Sequence, residues 1–119
     1  MATIYLGAEN FETIVSSSDI VFVDFWASWC GPCRMFAPVY GKAAAAHPDI
    51  VFGKVNTEAE QSLAAAAQIT SIPTLMAFKG GTLVFSQPGA LPAAGLEELI
   101  TAVRDLDVEA AFTEQQRSA

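Results

Sequence analysis

The chain is poor in cysteine, in histidine and in positive charge. Its 119 residues hold two cysteines, Cys30 and Cys33, and one histidine, His47. Two cysteines three positions apart cannot brace a chain of this length, so a disulfide-framework protein is excluded. A structural zinc site needs four ligands, and His47 is the remaining soft donor, roughly 20 Å along the predicted helix from Cys33. Six basic residues against thirteen acidic ones leave a net charge of −7. A surface of that sign repels phosphate backbones and anionic lipid, so neither nucleic acid nor membrane is expected as a partner, and it also favours solubility. No long apolar run occurs. The strongest, from Ile20 to Phe25, is interrupted by Asp24 and is too short to span a bilayer. Met1-Ala2-Thr3-Ile4 carries neither a basic leader nor an apolar stretch, so export is not expected. Cytoplasmic residence, where thiols are kept reduced, is the expectation.

What is present reads as one folded domain. Hydrophobic residues make up 52% and charged residues 16%, a globular composition at a length that buries a core without staples. Ile4-Tyr5-Leu6 reads as a short edge strand broken by Gly7. Phe11, Ile14 and Val15 follow helical spacing until Ser16-Ser17-Ser18. Ile20 to Trp26 is β-branched and aromatic on both faces except at Asp24, the pattern of a strand buried on both sides. A helix is predicted from Cys33 to His47, kinked at Pro38 and stopped by Pro48. Ile50 to Val55 forms the next strand, and the two strands with their helix make a right-handed parallel βαβ unit.

A third helix is predicted from Ala59 to Ala67. Thr74 to Phe78 and Leu83 to Phe85 flank Lys79-Gly80-Gly81-Thr82, a hairpin signal. Leu96, Leu99, Ile100, Val103 and Leu106 mark a last amphipathic helix. The fold class is therefore α/β: a mixed, mostly five-stranded sheet flanked by four helices in three layers. The domain is expected over residues 1–106. A C-terminal extension over 107–119 loses periodicity, with Val108 and Phe112 packing one more turn before fraying beyond Thr113.

The two cysteines straddle a helix start, a spacing at which their sulfurs can bond reversibly. A helix N-terminus carries unpaired N–H groups and about half a positive charge, which favours a thiolate, the attacking species in disulfide exchange. Cys30, ahead of the helix, is expected to be exposed and nucleophilic; Cys33, in the first turn, is expected to be shielded and resolving. Pro32 stiffens the loop, and Arg34 adds a modest positive charge. Two inert, buried cysteines are the alternative, against which the Gly31-Pro32 insert speaks.

Asp24 interrupts an apolar strand six residues before Cys30. If buried, its pKa rises, which suits a general base for Cys33; the alternative is an edge position facing water. Lys54, in the neighbouring strand, can sit beside Asp24 or be an ordinary solvated charge. Ile72-Pro73-Thr74 places a proline at a strand entrance, where it removes a ladder donor.

The segment Val23-Asp-Phe-Trp-Ala-Ser-Trp-Cys-Gly-Pro-Cys-Arg-Met35 resembles the active-site segment of the thioredoxin family. Lys54-Val55-Asn56, Ser71-Ile72-Pro73-Thr74 and Gly89-Ala90-Leu91 match in order and spacing, and the resemblance covers about residues 4 to 106. A lowered thiol pKa and a reducing poise are documented properties of this family rather than consequences drawn from the residues. The resemblance implies a thioredoxin fold and a protein-disulfide reductase working through Cys30 and Cys33, in cytoplasmic redox balance. It implies that Pro73 is cis and faces the disulfide, and that the Ile72 backbone pairs with an extended substrate segment.

The resemblance also implies that Trp29, Gly31, Pro32, Ile72, Pro73, Gly89 and Ala90 form the substrate surface, that Gly81 serves the hairpin turn, and that Asp24 and Lys54 are the buried acid and its partner. No cofactor or metal is expected on the chain; NADPH enters indirectly through a flavin-dependent thioredoxin reductase. The expected partners are that reductase and disulfide-containing proteins, with the chain a monomer. Ser28 stands where an acid is common, Ser71 where glycine is common, and Pro92 to Gly95 start the last helix without a polar cap. Two other functions use the same scaffold: a thiol oxidase or isomerase, which usually carries histidine between the cysteines, and a docking module with dispensable thiols.

Overall fold

The β-branched and aromatic run at Ile20–Trp26 forms the central strand of the sheet, and its first six residues are buried. In the computed structural model, which describes residues 2–109, the chain runs β1 (Thr3–Tyr5), α1 (Phe11–Ser17), β2 (Ile20–Trp26), α2 (Gly31–Ala46), β3 (Val51–Asn56), α3 (Gln61–Ala66), β4 (Thr74–Lys79), β5 (Thr82–Pro88) and α4 (Ala93–Asp105). The strands form one sheet in the order β1-β3-β2-β4-β5. β1, β3 and β2 are mutually parallel, and β4 runs antiparallel to its two neighbours, β2 and β5. This is the mixed five-stranded α/β architecture expected from the sequence.

Side chains alternate across a strand, and here the alternation divides the core in two. Phe22, Phe52 and Leu75 face α2 and α4, where Phe36, Tyr40, Leu96 and Ile100 cover them. Val21, Val23, Phe25 and Val55 face the other way, packing with Leu6, Val15 and Met76. Phe22 stacks on Phe52 at 5.4 Å, and Tyr40 meets Phe52 edge-on at the same separation. Each fully buried ring of this size contributes about 2–3 kcal/mol of apolar burial. Gly53 keeps β1 close: a Cβ there would stand 2.8 Å from Leu6 Cγ.

Several boundaries differ from the sequence expectation. α1 runs through Ser16 and Ser17, because the Ser16 hydroxyl bonds back to the Glu12 carbonyl at 2.7 Å and so remains satisfied within the helix. α2 begins at Gly31 rather than Cys33, with Cys30 as its N-cap, and it continues through Pro38 to Ala46. α3 is shorter than Ala59 to Ala67: Glu60 stands at its N-cap position with non-helical backbone, and Gln68 turns to positive φ. β5 extends to Pro88 because Thr74 of β4 still pairs there, across a bulge at Ala77/Phe78. Gly80 and Gly81 both have positive φ, as a two-residue hairpin turn requires. Helical backbone resumes at Val108 and Glu109; the remaining expectations for the extension, at Phe112 and Thr113, lie outside the described residues.

Candidate active site

Cys30 and Cys33 are joined in a disulfide, their Cα atoms 5.2 Å apart. The helix start explains this geometry. Cys30 has extended backbone as the N-cap, Pro32 fits the first turn where no N–H is needed, and Cys33 lies one turn in. The Cys33 amide donates to Cys30 Sγ at 3.2 Å. Sulfur therefore takes the capping position that an oxygen usually fills, and negative charge on Cys30 would meet the positive end of α2.

The expected difference in exposure between the two cysteines does not appear. Cys30 is 4% exposed and Cys33 3%. In the closed disulfide Cys30 Sγ lies 3.8 Å from the Ile72 carbonyl, and neighbouring groups cover it. The accessible surface belongs instead to Trp29, 67% exposed, with Pro32, Gly89 and Ala90 also exposed and Gly31 and Ile72 partly so.

The substrate-side residues converge from three segments. The Ile72–Pro73 peptide bond is cis, Pro73 is buried, and its carbonyl accepts from the Gly89 amide at 2.7 Å. That contact holds Gly89 and Ala90 beside Pro73, with Gly89 in the positive-φ region glycine tolerates. Sheet pairing of β4 begins at Thr74, so the ladder leaves the Ile72 backbone unused. Trp29 and Ile72 border a cleft of about 350 Å³, to which Ile69 adds an apolar wall and Thr57, Thr70 and Ser71 add hydroxyls.

Asp24 is fully buried in β2, which excludes an edge position facing water. By alternation it points to the α2 side of the sheet, beneath the helix that starts at the dithiol. Neither carboxylate oxygen has a hydrogen-bond partner among the described residues. Burial raises its pKa from 3.8 to about 6, opposed by the positive charge of Lys54. Lys54 is the cross-strand neighbour of Asp24, yet no ion pair joins them among the described residues. The Lys54 ammonium instead stands over the Trp26 ring, 5.0 Å from its centroid.

Two further polar groups belong to this region and were not singled out from sequence. Tyr40 is fully buried in α2, and its hydroxyl donates to the Gly53 carbonyl at 2.8 Å. Burial, and then the Asp24 carboxylate, push its pKa well above the usual phenol value. A tyrosine on the inner stripe of a helix was the available signal, because a buried hydroxyl must find an acceptor. The Trp26 indole N–H is buried without a hydrogen-bond partner among the described residues, and no sequence pattern marks that. No group of three or more potential metal ligands occurs among the described residues.

A disulfide at a helix N-terminus, on a mixed sheet with helices on both faces, beside a cis-proline and above a buried acid, defines a dithiol–disulfide oxidoreductase. The sequence profile of the thioredoxin family matches residues 2–102. A Streptomyces coelicolor protein that carries a thioredoxin name is 53% identical over 121 aligned positions, spanning 99% of this chain and 90% of its own. The thioredoxin of Haemophilus influenzae is 42% identical, over 82% of this chain and 92% of its own. Among solved structures, a thioredoxin mutant from Halobacterium salinarum superimposes with a TM-score of 0.81 at 30% identity, covering 89% of this chain and 95% of that one. The chain belongs to the thioredoxin family, and its activity is reduction of protein disulfides through the Cys30–Cys33 pair.

Proposed function

We propose that the two cysteines divide the reaction between them. The observation that carries this reading is the placement of Cys30 Sγ, capped by the Cys33 amide at the N-terminus of α2 and lying against the Ile72 carbonyl. In the reduced protein the Cys30 thiolate attacks one sulfur of a substrate disulfide. A mixed disulfide forms, and the other substrate sulfur leaves as a thiolate that takes a proton. Cys33 then loses its proton, attacks Cys30 Sγ and expels the second substrate sulfur. The substrate gains two electrons and the protein is left as the Cys30–Cys33 disulfide.

Asp24 receives the Cys33 proton, directly or through water. A carboxyl titrating near 6 is matched to that transfer at neutral pH better than an ordinary one. Lys54 keeps the pKa of Asp24 from rising further. Trp29, Gly31, Pro32, Ile72, Pro73, Gly89 and Ala90 form the docking surface, with the Ile72 backbone, outside the sheet ladder, offered to an extended substrate segment. The oxidised protein is returned to the dithiol by a flavin-dependent thioredoxin reductase drawing on NADPH, and the chain works as a monomer in cytoplasmic redox balance. No helix among the described residues is long and apolar enough to cross a membrane. Residues 1–106 act as the catalytic domain, with 107–119 an extension of it.

The decisive experiment is insulin reduction with dithiothreitol as the electron source. Cys30→Ser is expected to fall to the uncatalysed rate, and Cys33→Ser, reduced and then freed of dithiothreitol before insulin is added, to accumulate stable mixed disulfides visible on a non-reducing gel. Activity retained by Cys30→Ser would reverse the assignment of roles. For Asp24, the pH profile of single-turnover reduction should lose its inflection near 6 in Asp24→Asn; superimposable profiles would remove Asp24 from the mechanism.

A further inference from the structure

The chain has six basic residues, and the structure places them unequally. The Lys79 ammonium bonds three carbonyls, of Val103, Arg104 and Leu106. Arg104 is paired with Asp49. Lys54 is half-buried over the Trp26 ring. Lys42 is exposed on α2, beside a groove lined by Ala46 and Ala93, away from the disulfide, and Arg117 lies outside the described residues. Arg34 is the remaining one, and it stands at the dithiol.

Its guanidinium folds back along the loop that carries the active cysteine. Arg34 Nη1 donates to the Ser28 carbonyl at 2.9 Å, and a Cβ added to Gly31 would come within 4.0 Å of Nη2. The group is thus anchored next to the segment Ser28-Trp29-Cys30-Gly31, while the residue as a whole remains exposed. No carboxylate pairs with it among the described residues. The acid across the loop, Glu58, accepts instead from the Ser28 hydroxyl at 3.3 Å. One N–H of the guanidinium is used on a neutral carbonyl, and no anion among the described residues takes the rest of its donors.

We propose that Arg34 is a specificity-determining residue, favouring disulfide substrates that carry an acidic side chain next to the cysteine attacked by Cys30. A carboxylate docked at the edge of the Trp29 loop would complete a charge-assisted pair with the anchored guanidinium. Glu58, on the far side of Ser28, is the nearby acid that opposes this; the rest of the net charge of −7 is screened beyond about 8 Å at physiological salt. Arg34 therefore selects a local acid and not an acidic protein. The inference rests on the assignment of Cys30 as the attacking thiolate.

The test uses the full chain, reduced with dithiothreitol and freed of it, in single turnover against fluorescent peptide disulfides. The peptides are identical except for Glu, Gln or Lys beside the cysteine. Wild type is expected to reduce the Glu peptide about two- to fivefold faster than the Gln peptide, the range of one exposed ion pair, and the Lys peptide more slowly than either. In Arg34→Gln the Glu-to-Gln ratio should fall to the value set by the peptides' own thiols, and in Arg34→Glu it should invert. Any change that Arg34 makes to Cys30 reactivity acts on all peptides alike and cancels in the ratio. Raising salt to 1 M should shrink the preference in wild type alone. An unchanged Glu-to-Gln ratio in both variants overturns the proposal. Failure of wild type to reduce any peptide would instead overturn the reductase roles on which it rests.

Discussion

The two ends of the sheet treat polar groups in opposite ways. At the end opposite the disulfide, charge is matched and backbone is satisfied. Lys79 caps the last turn of α4 through three carbonyls at 2.7–2.8 Å. Arg104 holds Asp49 with two bonds and donates to His47 Nδ1 at 2.9 Å, leaving His47 Nε2–H to face Glu97 at 2.8 Å. At the disulfide end, the Asp24 carboxyl and the Trp26 indole N–H are buried without hydrogen-bond partners among the described residues. The first arrangement ties α2, β4 and α4 together. The second costs stability and keeps the Asp24 pKa raised, since full satisfaction would return Asp24 to an ordinary carboxylate.

The largest expected effect tests the disulfide end. Because the folded state holds the Asp24 proton up to about pH 6 and the unfolded chain releases it near 4, stability falls as pH rises through that window. Above pH 6 the whole penalty is present, about 3 kcal/mol. Asp24→Asn should therefore be more stable than wild type by up to that amount at pH 7, and no more stable below pH 4. Urea denaturation of the oxidised forms at the two pH values measures it. An equal difference at both would mean that packing, not charge, distinguishes this end.

The next effect tests the opposite end. Lys79→Met keeps the aliphatic stem and removes all three bonds, so a loss of about 2 kcal/mol is expected in the same assay. A change near zero would show that water replaces the ammonium without penalty, and the contrast between the ends would weaken. The smallest effect concerns Asp49, whose pKa is held down to about 2, chiefly by its hydrogen bond to Arg104. That stabilisation is present above pH 4 and lost as pH falls toward 2. Asp49→Asn should lack this acid-side decline while leaving disulfide reduction unchanged; identical urea midpoints across pH 2–4 in both forms would mean the pair contributes nothing.

How much of this was legible in the residues depends on the range of the interaction. Ile20–Trp26 announced burial on both faces because β-branched and aromatic residues filled both registers, and Asp24 stood out against them. The helix start at the dithiol, the stop before Pro48 and the Gly80-Gly81 turn are local backbone preferences. The burial of Cys30 runs against the sequence expectation because position before a helix says nothing about Ile72, forty-two residues away. The pairing of Lys54 was half legible: its strand register put it beside Asp24, but the competing Trp26 ring was invisible until both side chains were placed.

By itself the sequence determined the alternation of strands and helices, the dithiol at a helix N-terminus and the presence of one acid in an apolar strand, since each depends on neighbours within a few residues. Tertiary structure alone decided that the disulfide is covered, that Asp24 lies beneath α2 without a hydrogen-bond partner among the described residues, that Lys79 and Arg104 are spent on α4 and its surroundings, and that Arg34 is anchored on the Trp29 loop with no carboxylate partner among the described residues. Those outcomes depend on which distant groups compete for one charge, a competition settled only when the sheet brings them together.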